Sequence, residues 1–424
     1  MVETELAHDE IKADASENVR EASTPASRLS RILWLGVPVS LATAFKLWLA
    51  LTTYGTNDVR YWQTFMQYVV DHGSVTIYRD IWYYNHPPMM SGFLLLLHSL
   101  IDYAPNGFPF LIRLPAIVAD VVSVFAVYRL VRFCWDEHRA LICAAGVALS
   151  PVLTLVSGFH GNSDTVFVCL ILLAAERAVI ARAPVSCGAL LGLAVNIKLV
   201  PLLVVPVLFF HFADWRERAR FAVALCVVLV AGFGYHVVAA YPFMEHNVFA
   251  YSGLAHIWGI TDLAGPGFPA IASPAGIMLA KMLIALLIVG RAFYFSRRHA
   301  ASPQGAAAAG RFTLQSIGWA FAIFMLLTPG FSVQYLAWLA IVSYLIDPYW
   351  AIGYNVIGGA FAFSIYHYWN QGFPWNLADS DKVGAWQAPQ ALLGRMAWLY
   401  LLVWVACAVH STLSRRTVAR LAAP

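Results

Sequence analysis

Long apolar segments recur along this chain and constrain its fold more than any motif. They cover residues 31–54, 110–131, 140–157, 165–181, 219–240, 276–295, 312–329, 333–347, 349–366 and 391–411. Crossing a bilayer takes roughly 17–25 predominantly apolar residues. Within the hydrocarbon every backbone polar group must be satisfied inside the segment, so these stretches are read as helices. Composition agrees: 60% of the 424 residues are hydrophobic and 12% are charged, against about 25% charged in an average soluble protein. The reading is an all-α integral membrane protein.

Arginine sets the expected orientation. Basic clusters lie at Arg28/Arg31, Arg129/Arg132/Arg139, Arg177/Arg182, Arg216/Arg218/Arg220, Arg291/Arg297/Arg298/Arg311 and Arg415/Arg416/Arg420, whereas 241–275 and 367–390 carry almost no basic residue except Lys382. The positive-inside rule puts the clusters in the cytoplasm, with both termini there. Segment 184–212 has basic clusters on both flanks, so it should cross twice, breaking at "VNIKLVP" near the outer face. The run Met89–Ile101 is about 20 Å long as a helix, too short to span. It reads as a re-entrant or juxtamembrane helix in a long first outer loop, 55–109. The total is about twelve transmembrane helices. Residues 1–30 read as a disordered cytoplasmic tail. Heavy use of arginine and alanine favours a bacterial inner membrane.

The six cysteines form no CxxC pair and suggest neither a disulfide framework nor a zinc site. Walker A, GxGxxG, HExxH and GxSxG patterns are absent, which argues against a nucleotide-driven pump. Nothing points to nucleic acid.

The topology gathers polar residues at the outer face: Asp58, His86, Arg113, Asp164, Lys198, His256 and Gln334. Polar groups at membrane depth are costly and usually functional. Asp58 suits a general base or a metal ligand, or is a solvated loop residue. In "HGNSD", Asn162 and Asp164 border the start of a span, where Ser163 or Asp164 can equally serve as a helix cap. Lys198 suits a lipid-borne phosphate, with snorkelling as the plainer role. Arg113 is a similar candidate or half of an ion pair. His86 and His256 can orient a phosphate or sugar, or be hydrogen-bonded structural residues. Trp258, with Trp62, Trp82, Tyr83 and Tyr84, can stack on a sugar or belong to an interfacial belt. A metal, if there is one, falls to Asp58 and Asp164. Within this set, "YYNHPPMMSG" places two prolines at the first turn of the short outer helix, where a missing N–H costs nothing.

Five stretches in order resemble the GT-C superfamily of polyprenyl-phosphate-sugar-dependent glycosyltransferases, nearest the ALG-type glucosyltransferases and their bacterial relatives. They are "NDVRYW", "NHPPMM" for the family's YPPL, "LIRLPAIVAD" ending at Asp120, "GFHGNSD" for GHFQYNS, and "LAVNIKLVP" for LAxxxK. Together they cover residues 58–200. "HGNSD" is also similar to the arabinosyl- and aminoarabinose-transferring branches. The resemblance implies a GT-C fold, with residues 31–215 as its catalytic module and 216–424 as a variable transmembrane module. It implies transfer of a sugar from a polyprenyl phosphate, such as undecaprenyl phosphate, to a lipid, glycan or protein hydroxyl at the periplasmic face. Asp58 would be the inverting base; Lys198, Arg113 and His256 would hold the phosphate; His86, Asp164, Asn162, Gln334 and Trp258 would lie near the site. The cofactor implied is none, or a divalent metal. Two other classes fit the same composition: a transporter or flippase of lipid-linked sugars, and a scaffold of an envelope-assembly complex.

Overall fold

The computed structural model describes residues 25–301, 305–384 and 387–421. It is 82% helical. Helices of a dozen residues or more are labelled α1 (Pro25–Thr52), α2 (Asn57–His72), α3 (Pro88–Leu100), α4 (Phe108–Cys134), α5 (Glu137–Ala148), α6 (Asp164–Val179), α7 (Pro184–Ile197), α8 (Trp215–Met244), α9 (Pro274–Ala301), α10 (Ala306–Leu327), α11 (Pro348–Trp369) and α12 (Ala388–Leu421). The expected tail lies largely outside the described residues; its end, from Pro25, is already the first turns of α1.

Seven helices among the described residues are long and apolar enough to cross a membrane: Leu33–Thr52, Phe108–Cys134, Glu137–His160, Trp215–Phe249, Pro274–Ser296, Ala306–Leu327 and Ala388–Thr412. The protein is therefore an all-α multi-pass integral membrane protein. Of the remaining expected spans, 165–181 is the 16-residue α6, 349–366 lies in the unbroken 22-residue α11, and the other two segments are broken. Segment 184–212 is α7, a break at Lys198, a 3-10 turn Val200–Val204 and a short helix Val205–His211. Val333–Leu345 is likewise divided into 3-10, α and 3-10 pieces. Such breaks at membrane depth are tolerated where the backbone lines a cavity.

Helices α8 and α9 leave Val223, Val230, Val238, Leu279, Met282 and Leu286 exposed. On a soluble protein this would be a liability; in a bilayer it is the lipid-facing surface. Between helices, close packing replaces the hydrophobic drive. Gly188 and Gly192, one turn apart on α7, let α8 approach: a Cβ on Gly188 would meet Phe221 O at 2.2 Å, and one on Gly192 would meet Val228 Cβ at 2.8 Å.

Helix α3 starts where the prolines put it, with Pro87 as its cap and Pro88 in its first turn. Two short strands, β1 (Gly55–Thr56) and β2 (Leu377–Ala378), pair in parallel, so the segment after α11 is tied to the start of α2. Side chains extend the tie: Arg60 Nη1 reaches Asp379 Oδ2 at 2.6 Å, and Tyr61 donates to Asp381 Oδ2 at 2.7 Å.

Candidate active site

Asp58 lies in the first turn of α2 rather than in an open loop. Thr56 caps that helix through its hydroxyl, which accepts from Asp58 N at 3.3 Å and donates to His160 O at 2.8 Å. The cap therefore fixes the start of α2 against the turn that carries His160. That turn, Val156–His160, is a single wide π-helical turn, a feature that often marks functional sites. Gly161 follows it with φ +86°, and a Cβ there would lie 2.3 Å from Val59 Cγ2. Only glycine permits this reversal at that distance.

The reversal aims two side chains at Asp58. His160 Nε2 stands 3.0 Å from Asp58 Oδ2, and Asn162 Nδ2 donates to the same oxygen at 3.3 Å. The other ring nitrogen of His160 pairs with the Tyr366 hydroxyl of α11 at 2.9 Å. With Tyr366 donating to Nδ1, Nε2 carries the proton and donates to the carboxylate. Among the described residues no group bonds Asp58 Oδ1, which leaves that oxygen for a ligand.

Burial pushes the Asp58 carboxyl up. The charge and hydrogen bond of His160, then the charges of Lys198 and His86, outweigh it and hold the group below its usual value of 3.8. His86 goes the other way. Burial, reinforced by Lys198, pushes it down to about 3, so the ring is neutral at ordinary pH. It lies against Trp62, ring centroids 4.1 Å apart.

Asp58, His86, His160, Asn162, Lys198 and Gln334 all line one cavity of about 1020 Å³. One wall is aromatic and polar, formed by Asn57, Tyr61, Trp82, Tyr83 and Asp381. The other is mainly apolar, with Leu199, Leu203, Val248, Phe249, Ile284 and Phe324. Lys198 ends α7 in extended backbone. Its ammonium is 2.6 Å from Asp164 Oδ1 and lies over the rings of Tyr335 and Trp338 at 5.4 and 5.0 Å. Trp338 Nε1 donates to the same Asp164 oxygen at 2.7 Å. Asp164 is buried behind the lysine, and it is not the helix cap: Ser163 occupies that position without a side-chain bond. Lys281, a second cation of the wall, donates to Tyr251 O at 3.2 Å.

Three expected residues lie elsewhere. Arg113 is fully buried, outside the cavity wall. Its guanidinium donates to Pro109 O, Thr53 Oγ1, Thr53 O, Ala50 O and Gly158 O at 2.5–3.2 Å. Ala50 O and Thr53 O are carbonyls left over at the end of α1, and Gly158 O belongs to the π turn, so Arg113 caps a helix and joins it to that turn. Among the described residues it makes no ion pair with a carboxylate. Trp258 is core, stacked on Phe331 at 4.3 Å with Nε1 donating to Met325 O. His256 is exposed, with φ +65° and Nδ1 3.2 Å from Thr261 O.

Among the described residues no three His, Cys, Asp or Glu side chains are grouped to hold a metal. Of the two carboxylates suggested for a metal, Asp58 Oδ2 is taken by His160 and Asn162, and Asp164 Oδ1 by Lys198 and Trp338. His160 and Tyr366 were missing from the sequence-based candidates. The "GFHGNSD" stretch contains the histidine, but only the π turn and Gly161 aim it at a residue 102 positions earlier.

Residues 85–240 match the dolichyl-phosphate-mannose-protein mannosyltransferase family. No curated protein sequence matches the chain at a significant level. Two solved structures are similar at 15% identity over 87% of this chain: the apo oligosaccharyltransferase of Archaeoglobus fulgidus, TM-score 0.40, and AglB from Archaeoglobus fulgidus in complex with an inhibitory peptide and a dolichol-phosphate, TM-score 0.41. The chain spans 55% of the length of each. The family match encloses four of the five ordered stretches, from "NHPPMM" to "LAVNIKLVP".

Proposed function

We propose that this protein transfers a sugar from a polyprenyl-phosphate carrier to an acceptor hydroxyl at the outer face of a bacterial inner membrane, with inversion at the anomeric carbon. The observation that carries the proposal is the setting of Asp58. Its carboxylate faces a large cavity, is held through Oδ2 by His160 and Asn162, and keeps Oδ1 open. That is the arrangement of a general base whose orientation is set and whose second oxygen can accept a proton.

In the proposed step Asp58 Oδ1 takes the proton of the acceptor O–H. The acceptor oxygen attacks the anomeric carbon as its bond to the phosphate oxygen breaks, and the electron pair leaves with the phosphate. Lys198 stabilises the charge that develops there. Asp164 offsets part of the lysine's charge and fixes its position, and Lys281 offers a further cation beside the apolar wall. That wall takes the lipid. Asp58 is ionised and His86 neutral at physiological pH, so the cavity presents a base beside cationic Lys198 without an added histidine charge. The residues 31–215 supply the base, its partners and Lys198; the remainder supplies the far walls.

The test uses purified protein, short-chain polyprenyl-phosphate sugars and crude envelope acceptor, with release of free polyprenyl phosphate as the readout. Release from one donor by the wild type and its loss in Asp58→Asn are expected. Donors that neither bind nor react would overturn the proposal in favour of a transporter.

A further inference from the structure

The two walls of the cavity differ in chemistry, and the aromatic one has no role in holding a lipid phosphate. Trp82, Tyr83 and Tyr61 expose 74%, 40% and 36% of their surfaces. Trp82 and Tyr83 meet edge to face at 5.6 Å, and Tyr83 and Tyr61 at 5.7 Å. An interfacial belt turns such rings outward to lipid headgroups; these line an inward cavity. Beside them lies a set of directional polar groups. Asp381 accepts from Tyr61 through one oxygen and from Asn57 Nδ2 through the other, at 3.4 Å. The hydrogen bond to Asp381, aided by burial, pushes the Tyr61 hydroxyl up to about 12, so it stays a donor.

A pyranose has the complementary surface: an apolar face of C–H groups that packs on aromatic rings, and a rim of hydroxyls that both donate and accept. An extended peptide is usually held by a strand edge or side-chain pockets; the two-residue edge at β1 is already occupied by β2. The shelf also lies next to the base, since Tyr61 is one turn along α2 from Asp58 and Asn57 is adjacent to it.

We infer that the mouth formed by Tyr61, Trp82, Tyr83, Asn57 and Asp381 is the acceptor subsite, and that the acceptor is a glycan hydroxyl. This rests on the transferase reading above. Asp381 and the rings are specificity determinants; Asp58 remains the base.

The experiment offers the full chain in lipid nanodiscs its polyprenyl-phosphate sugar with two kinds of acceptor: gluco-, manno-, galacto- and N-acetylglucosamine trisaccharides, and a Ser/Thr-containing peptide of similar size. Polyprenyl phosphate release and acceptor mass are read together. Elongation of at least one trisaccharide is expected, with KM raised roughly tenfold by Trp82→Ala and by Asp381→Asn while kcat changes little. Trp82 is a surface residue, and Asp381→Asn keeps shape and size, so both variants should fold; their melting temperatures check this. Modification of the peptide with no trisaccharide elongated would leave the transferase standing and overturn the glycan acceptor. So would a trisaccharide whose KM ignores both substitutions. No release with any acceptor would remove the transferase reading and this inference with it.

Discussion

Asp58 and His160 meet at 3.0 Å across a chain separation of 102 residues, and Tyr366 closes the line behind the histidine at 2.9 Å. Three separate parts of the chain, the start of α2, a π turn and the C-terminal half of α11, thus converge on one carboxylate. Each member of the line has a distinct expected consequence.

Asp58→Asn keeps size and hydrogen-bonding shape but cannot accept a proton. Turnover should fall by about 10²–10⁴, the usual worth of a general base. Donor affinity should change far less. Single-turnover release of polyprenyl phosphate and direct donor binding separate the two; equal losses in both would speak against a base.

His160 acts on the carboxylate's orientation and charge. In His160→Ala, burial of Asp58 loses the interaction that chiefly opposes it, so the carboxyl should titrate at higher pH. Because the group is held below 3.8 in the wild type, the ionised base persists as pH falls until that lowered value is crossed. The acid limb of kcat/KM should therefore lie below pH 3.8 in the wild type and move upward in His160→Ala. Tyr366→Phe should move it in the same direction by less. His86, at about 3, should give no limb near the ordinary histidine value of 6.5. A pH profile over the range where the protein stays folded is the measurement, and an unmoved limb in His160→Ala would refute the coupling.

The same shift bears on stability. A carboxyl lowered on folding contributes stability that is present above its unfolded value, near 3.8, and lost as pH falls through the folded one. Denaturation followed downward from pH 5 should show less acid sensitivity in Asp58→Asn than in the wild type.

Lys198 and Asp164 can be separated by a double substitution. Lys198→Met alone leaves a buried carboxylate unpaired and should destabilise by about 3–5 kcal/mol. Adding Asp164→Asn removes that charge and should restore much of the melting temperature. Donor affinity should stay low in the double variant, because the cation is still missing. Recovery of affinity together with stability would make the lysine purely structural.

Gly161→Ala puts a Cβ 2.3 Å from Val59 Cγ2 in a backbone with φ +86°. Loss of activity beyond tenfold is expected, since His160 and Asn162 flank this residue. Val59→Ala added to it should relieve the contact but not the backbone strain of about 1–2 kcal/mol. Activity of the double variant should fall between the wild type and Gly161→Ala, as the same release assay will show.

Much of this arrangement could be read from residues alone where the signal was local. The prolines at 87 and 88 start α3, and "VNIKLVP" breaks the chain at Lys198, because proline chemistry and a lysine in an apolar run act within a few residues. Asn162 stood out in "HGNSD". Arg113 shows the opposite case. Its charge invited a phosphate role, yet carbonyls of the end of α1, of Pro109 and of the π turn use its donors. Nothing in sequence announces which carbonyls will be left over. Asp381 and Tyr366 were invisible for another reason: their partners Asn57 and His160 lie 324 and 206 positions away, and no local periodicity announces such a pairing.

The pairing of β1 with β2 also sets a timetable. Asn57 leaves the ribosome 324 residues ahead of Asp381. At 5–20 residues per second that is a wait of roughly 16–65 s. During it the side of the cavity that Asp381 lines is still unmade. The cavity that holds Asp58 is thus completed only once the segment after α11 has been synthesised.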